Sequence, residues 1–192
     1  MITDIRARVV CSLGPVISGD ISDDYIQGNG VIKTSGSLIL SGIFAPAVGQ
    51  KIELGYISNI NGQKVAARIP RTLRVLSSFS DPFKRITTVE IGCLFTYLSD
   101  KKPPPERPVS VNSDEVDEEE KKRVIVPVRA STVLAECFSK LGINYSGANL
   151  TNVFAVEEFD FSAGYVDVIS DLLVSEGQFC YLDALELAVI RF

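Results

Sequence analysis

The residues of this 192-residue chain that could do chemistry are carboxylates, thiols and cations, because the sequence contains no histidine. That absence removes the commonest general base, the Ser-His and Cys-His nucleophile pairs, and the commonest metal ligand. Three pairs of carboxylates lie close together in the sequence. Asp23-Asp24 is predicted in a turn, Glu157-Glu158 on opposite faces of a strand, and Asp167 with Asp171 on the polar side of a helix. None of these places gives a buried site that both carboxylates share. We therefore expect no enzyme activity, no catalytic residue and no cofactor.

The four cysteines lie far apart in the sequence, and none forms a CxxC pair. This spacing lacks the patterns of common zinc and redox sites, so no metal site is predicted. We interpret the cysteines as small buried hydrophobic side chains, with disulfide bonds as the alternative. They are Cys11, Cys93, Cys137 and Cys180.

A basic stretch between residues 64 and 85 is the strongest candidate for a binding surface. The only aromatic residues between its cations are Phe79 and Phe83, and the whole chain carries a net charge of −5. Direct nucleic-acid binding is therefore disfavoured, because it needs a basic surface and usually aromatic side chains on which bases stack. The pattern favours solvated or partner-facing charges. The candidate interface residues are Arg68, Arg71, Arg74, Lys84 and Arg85.

The charge is unevenly distributed along the chain. Residues 1–100 carry ten basic and eight acidic side chains, for a net charge of +2. Residues 101–123 carry six and seven, net −1, and residues 124–192 carry three and nine, net −6. The two ends of the chain are therefore expected to attract each other or matching surfaces of a partner.

Residues 1–100 have the pattern of short strands separated by turns, which predicts a small β-barrel or sandwich. Ser35-Gly36 is predicted to be one of these turns, and residues 85–98 are predicted to form the last strand. Residues 101–123 contain three consecutive prolines and an acidic block, and are predicted to be a linker or a long surface loop.

Residues 124–192 predict a small α+β domain with the order β-α-β-α-β-β. One helix, capped by Ser131, is expected to run to Leu141 and to be closed by Gly142, and a second is expected between an N-cap at Ser162 and Gly177. A hairpin of residues 178–182 and 185–192 follows. The predicted fold class is thus α+β, mainly β. No stretch of about 18 apolar residues predicts a membrane span, and the charged N-terminus does not resemble a signal peptide.

Two stretches resemble the central hub proteins of phage tail tips and baseplates, which are related to the hub part of type VI secretion spike proteins. Residues 69–97 resemble the first hub domain, most distinctively at Pro70-Arg71 and Asp81-Pro82-Phe83. Residues 159–191 resemble the second hub domain, where a helix and the sequence from Glu176 to Asp183 precede a closing hairpin. The resemblance touches both halves of the chain.

The resemblance implies a structural hub in the virion tail tip, made in the host cytoplasm. It implies a homotrimer that joins the tail tube or distal tail protein to a central fibre or spike, with only indirect contact to DNA passing through the tail. Hubs of this family have two barrel domains per subunit, and this chain has the pattern of one, so we expect a portion of a longer or divided hub. No lysozyme or peptidase segment is recognisable.

A carbohydrate-binding or cell-surface-binding β module is the alternative function. Such modules usually present exposed aromatic side chains for stacking. Tryptophan is absent and the six tyrosines are scattered, which counts against this alternative.

Overall fold

The computed structural model describes residues 5–24, 30–60, 63–68, 71–100, 128–154 and 164–192. The predicted linker at residues 101–123 and the predicted helix N-cap at Ser162 lie outside these ranges. The domain boundaries at residues 100 and 124 therefore stay a prediction.

The N-terminal part forms one antiparallel sheet that curls into a half-barrel. Its strand order is β4-β7-β8-β3-β2-β1-β5-β6, so β4 and β6 end the order and the described strands do not close into a full barrel. The eight strands are β1 (Ile5–Cys11), β2 (Gly14–Asp24), β3 (Lys33–Ser41), β4 (Lys51–Ile52), β5 (Leu54–Ile60), β6 (Gln63–Arg68), β7 (Leu73–Asp81) and β8 (Ile86–Gly92).

Buried and more exposed side chains alternate along the central strands, and the buried ones form the core of the half-barrel. Leu38 and Leu40 of β3 lie opposite Val89 and Thr87 of β8, so these four side chains share one face of the sheet. All four are buried. The sheet therefore has an apolar inner face and a more polar outer face, as alternating strands predict.

Strands β1, β5 and β6 form a three-stranded arm that extends from the half-barrel. Strand β1 pairs with β2 only at Val10 and Cys11, but it pairs with β5 along its whole length. Strand β6 pairs only with β5 among the described strands. Apolar side chains of this arm stay exposed to solvent.

The C-terminal part contains two helices and short strands. Helix α2 (Ala130–Leu141) packs against α3 (Tyr165–Ser175), and each buries one apolar face. Helix α3 ends where Gln178 N donates to Leu173 O at 2.8 Å and Gly177 N donates to Val174 O at 3.0 Å, the hydrogen-bond pattern of a Schellman motif. The strands are β9 (Val128–Arg129), β10 (Tyr145–Ser146), β11 (Val153–Phe154), β12 (Phe179–Leu182) and β13 (Ala188–Arg191).

Residues 30–32 connect the two parts, and we call them the joining strand. Ile32 N donates to Cys180 O at 2.8 Å, and Cys180 N donates to Gly30 O at 2.7 Å. Val31 thereby forms a parallel bridge with Cys180, and both side chains are buried. The joining strand extends the sheet β10-β13-β12 and continues directly into β3 of the half-barrel.

The predicted fold class, mainly β with a smaller α+β part, is confirmed. Three local predictions are wrong. Residues 94–98 form helix α1 (Leu94–Leu98) rather than the end of a strand, because the β3–β8 ladder ends where Cys93 N, at the helix N-cap, donates to Thr34 O at 2.9 Å. Gly36 lies within β3, where a Cβ would be 2.1 Å from Asp20 O of β2, so the glycine serves close strand approach and not a turn. Helix α2 begins at Ala130 with Arg129 at the N-cap, so Ser131, the predicted N-cap, lies within the first turn of the helix.

Replacement of Gly30 tests the joining strand. A Cβ at this position would lie 2.2 Å from Ser170 O and 2.9 Å from the Leu173 Cβ, so helix α3 would have to move. We expect Gly30→Ala to lower the free energy of unfolding by about 1–3 kcal/mol, as overpacking does, measured by urea denaturation. Ser35→Ala, at an exposed site in β3, is the control and should change it by less than about 0.5 kcal/mol. Equal stability of both variants would contradict the proposed close contact.

Candidate functional site

An ion-pair cluster fastens the C-terminal hairpin to the half-barrel, and we call Lys51, Arg74 and Glu186 the clamp. Arg74 Nε and Nη2 each donate to the Glu186 carboxylate at 2.9 Å. Lys51 Nζ donates to Glu186 Oε2 at 2.6 Å. The side chains of Arg74 and Glu186 are only 17% and 11% exposed. Such a two-pronged, largely buried pair is stronger than an exposed one.

Neighbouring strands position the two cations of the clamp. Lys51 of β4 lies directly opposite Arg74 of β7 in the ladder, so both side chains project from the same face. Arg74 also donates to Gly49 O at 3.2 Å and lies 5.8 Å from the centre of the Tyr97 ring in α1. These two contacts orient the guanidinium independently of Glu186.

The turn between β12 and β13 positions Glu186. The Asp183 carboxylate accepts hydrogen bonds from Leu185 N at 2.8 Å and Leu187 N at 2.9 Å. Thr72 Oγ1 donates to Ala184 O at 2.9 Å. Glu186 itself has a left-handed backbone with φ of 62°, which is uncommon for a residue other than glycine. The turn therefore presents the carboxylate in one fixed position.

A cleft of about 550 Å³ lies beside the clamp, between the half-barrel and β12. Asp23 and Thr34 lie opposite each other in the β2–β3 ladder and line it with Arg71 and Tyr181. Arg71 Nη1 pairs with Asp23 Oδ1, and Thr34 Oγ1 donates to the same oxygen at 2.7 Å. The hydrogen bond from Arg71 holds the pKa of Asp23 below its usual value, so the carboxyl is ionised at neutral pH.

The structure separates the five candidate interface residues. Arg71 and Arg74 lie at one end of β7, in the cleft and the clamp, whereas Lys84 and Arg85 lie in the turn after the other end. A strand of this length places its two ends about 25 Å apart. Arg68 ends β6, and its side chain lies outside the described part of the chain. The basic stretch is thus not one continuous surface.

The turn between β7 and β8 contains an exposed part of that stretch, Lys84 and Arg85. Asp81 Oδ1 accepts hydrogen bonds from Phe83 N at 3.0 Å and Lys84 N at 3.1 Å, which fixes the turn. The Lys84 side chain is 75% exposed and makes only a 3.8 Å ion pair with Asp81. Phe83 is 97% exposed. This turn offers both charge and apolar surface to a partner.

The sequence reasoning missed Glu186, Lys51 and Thr34, and it placed Asp23 in a turn. Asp23 and Asp24 lie in strand β2 instead. Glu186 is separated from Lys51 by 135 residues and from Arg74 by 112 residues. No local sequence pattern predicts ion pairs between residues so far apart. The opposite net charges of residues 1–100 and 124–192 indicated only that the two regions could attract each other.

The four cysteines form no disulfide bonds in the structure. Cys93, Cys137 and Cys180 are buried and Cys11 is half-buried. Burial raises the pKa of the Cys180 thiol to about 12, and it also raises the pKa of Cys11. Both are therefore protonated and weakly nucleophilic at neutral pH.

No group of three or more Cys, Asp or Glu side chains among the described residues could hold a metal ion. None of the described helices is long and apolar enough to cross a membrane.

No protein-family model and no curated protein matches the sequence. The structure is similar to that of a tail protein from Neisseria meningitidis MC58, with a TM-score of 0.50 and 11% identity over 96% of this chain and 50% of that chain. The 43 kDa tail protein of prophage MuSo2 from Shewanella oneidensis gives a TM-score of 0.48 and 11% identity over 96% of this chain and 53% of that chain. This chain spans about half the length of each. The likeness to the Neisseria protein shows a shared fold.

Removal of the Glu186 carboxylate tests the clamp. Glu186→Ala leaves Arg74 largely buried without its partner, which costs about 3–5 kcal/mol in fully buried pairs. Because the clamp keeps some solvent exposure, we expect a loss of about 2–3 kcal/mol in the free energy of unfolding, measured by urea denaturation. Lys84→Ala, which removes an exposed ion pair, is the matched control with an expected loss below about 0.5 kcal/mol. Similar losses in the two variants would show that the clamp has no special role.

Proposed function

We propose that this chain is a structural part of a phage tail, and more specifically a hub of the tail tip. The observation that carries the proposal is the fold shared with the Neisseria tail protein across 96% of this chain. The resemblance of residues 69–97 and 159–191 to tail-tip hubs supports the finer assignment. In this role the chain joins the tail tube or distal tail protein to a central fibre or spike.

The three-stranded arm supports assembly of several copies. Val9 and Tyr56 lie opposite each other in the ladder, and Val65 lies opposite Ser58, so all three apolar side chains project from one face of the arm. They are 42%, 44% and 44% exposed. The arm also ends in β6, which pairs on one side only among the described strands. Exposed apolar faces and free strand edges are typical of joints between subunits.

We propose that these joints form a homotrimer around the tail axis, as the hub resemblance implies. In this arrangement the arm contacts a second copy, because its apolar face would otherwise stay in water. The geometry also refines the candidate interface: Arg74 serves the clamp within its own chain, whereas Lys84 and Arg85 are exposed and suit an acidic neighbouring tail protein.

A charge placed on the arm tests the proposed assembly. Val65→Asp puts a carboxylate on the apolar face, and Val174→Asp does the same at an exposed valine of α3, 41% exposed against 44% for Val65. We expect the wild-type chain and Val174→Asp to have the mass of a trimer by native mass spectrometry, and Val65→Asp to shift towards the monomer. A monomeric wild type, or equal effects of both variants, would contradict the arm as the trimer joint.

The same two variants test the tail function in particles. If the chain is a hub, particles that carry Val65→Asp should lack complete tails by electron microscopy, whereas Val174→Asp particles should have them. Absence of the wild-type chain from purified tails, shown by mass spectrometry, would refute the function itself and not only the assembly mode.

A further inference from the structure

We propose that the cleft between the half-barrel and β12 binds a carbohydrate. The cleft lies where the two parts of the chain meet, a preferred position for ligand sites. Its volume of about 550 Å³ falls within the range of roughly 300–1,000 Å³ typical of such sites. The inference rests on the cleft alone and does not depend on the proposed tail function.

Polar groups with unused hydrogen-bonding capacity line the cleft. Asp23 receives both of its side-chain hydrogen bonds at Oδ1, which leaves Oδ2 without a partner in the described part of the chain. Arg71 donates through Nη1, which leaves Nε and Nη2 unengaged among the same residues. Tyr181 also lines the cleft; it is 36% exposed, and its hydroxyl makes no hydrogen bond to a described residue. An acceptor of Asp23 and donors of Arg71 therefore lie side by side.

This combination matches the chemistry of sugar hydroxyl groups. Each hydroxyl both donates and accepts a hydrogen bond, so a carboxylate next to a guanidinium can satisfy neighbouring hydroxyls. Because the carboxyl of Asp23 is ionised, it only accepts, and Arg71 only donates. Ile32 and Leu182 add apolar wall that suits the C–H faces of a sugar ring, and Tyr181 adds an aromatic ring.

The paired charges disfavour ligands of a single charge. An anion that approaches Arg71 meets the Asp23 carboxylate, and a cation that approaches Asp23 meets the guanidinium. Because the two opposite charges largely cancel, neither an anion nor a cation gains a net attraction there, whereas a neutral ligand can use the unengaged atoms of both residues. A neutral polyhydroxyl compound is therefore the class of ligand that fits best, ahead of a peptide, which offers fewer hydroxyl donors.

Saturation-transfer-difference NMR with the full chain tests the proposal. The probes are glucose, galactose, mannose, rhamnose and N-acetylglucosamine, with triglycine as the peptide probe. We expect at least one sugar to show saturation transfer, with its dissociation constant then measured by titration. Tyr181→Phe removes a hydroxyl that no described residue uses, so it should preserve the fold and weaken binding about 3- to 10-fold, the effect of one hydrogen bond.

Two further variants make the test specific. Asp23→Asn keeps the size of the side chain but turns one acceptor into a donor, and should weaken binding at least as much as Tyr181→Phe. Tyr145→Phe changes a tyrosine of β10 that is 36% exposed, as Tyr181 is, and lies outside the cleft, so it should leave binding unchanged. Saturation transfer to triglycine alone, no transfer to any sugar, or equal affinities in all variants would each overturn the carbohydrate assignment.

Discussion

The two backbone hydrogen bonds between Cys180 and the joining strand are the constraint on which the rest of the structure depends. They make three residues from the N-terminal part an additional strand of the C-terminal sheet. Buried apolar side chains from both parts consequently belong to one continuous cluster, from Leu38 of β3 to Ile190 of β13. Since the joining strand leads directly into β3, the position of the half-barrel is set by the C-terminal sheet.

The clamp fixes the orientation of the C-terminal hairpin relative to the half-barrel. A joining strand alone would allow the C-terminal hairpin to rotate about it, whereas Glu186 fastens the hairpin turn to β4 and β7 at a second point. The space between these two attachment points is the cleft that Asp23, Arg71 and Tyr181 line. The fold thus produces a defined cavity at the joint and leaves the three-stranded arm free on the opposite end of the strand order.

Local signals in the sequence predicted the parts of this fold that depend on near neighbours. The helix ends at Gly142 and Gly177 follow from glycine at a helix C-terminus, and the mainly β character of residues 1–100 follows from alternation and turns. Gly36 was misread because a glycine in a turn and a glycine under a neighbouring strand look alike in sequence. Helix α1 was missed because its five residues are too few to show helical periodicity. The clamp and the ion pair of the cleft could not be predicted, since Asp23 is 48 residues from Arg71, and Glu186 is 112 residues from Arg74 and 135 from Lys51.

Differential scanning calorimetry of the intact chain tests the central claim that the joining strand and clamp make one cooperative unit. The structure predicts a single thermal transition, with a van't Hoff enthalpy equal to the calorimetric enthalpy, because neither part can unfold without exposing the shared core. Two separate transitions, or a calorimetric enthalpy well above the van't Hoff value, would show that the two parts unfold independently and would contradict the claim.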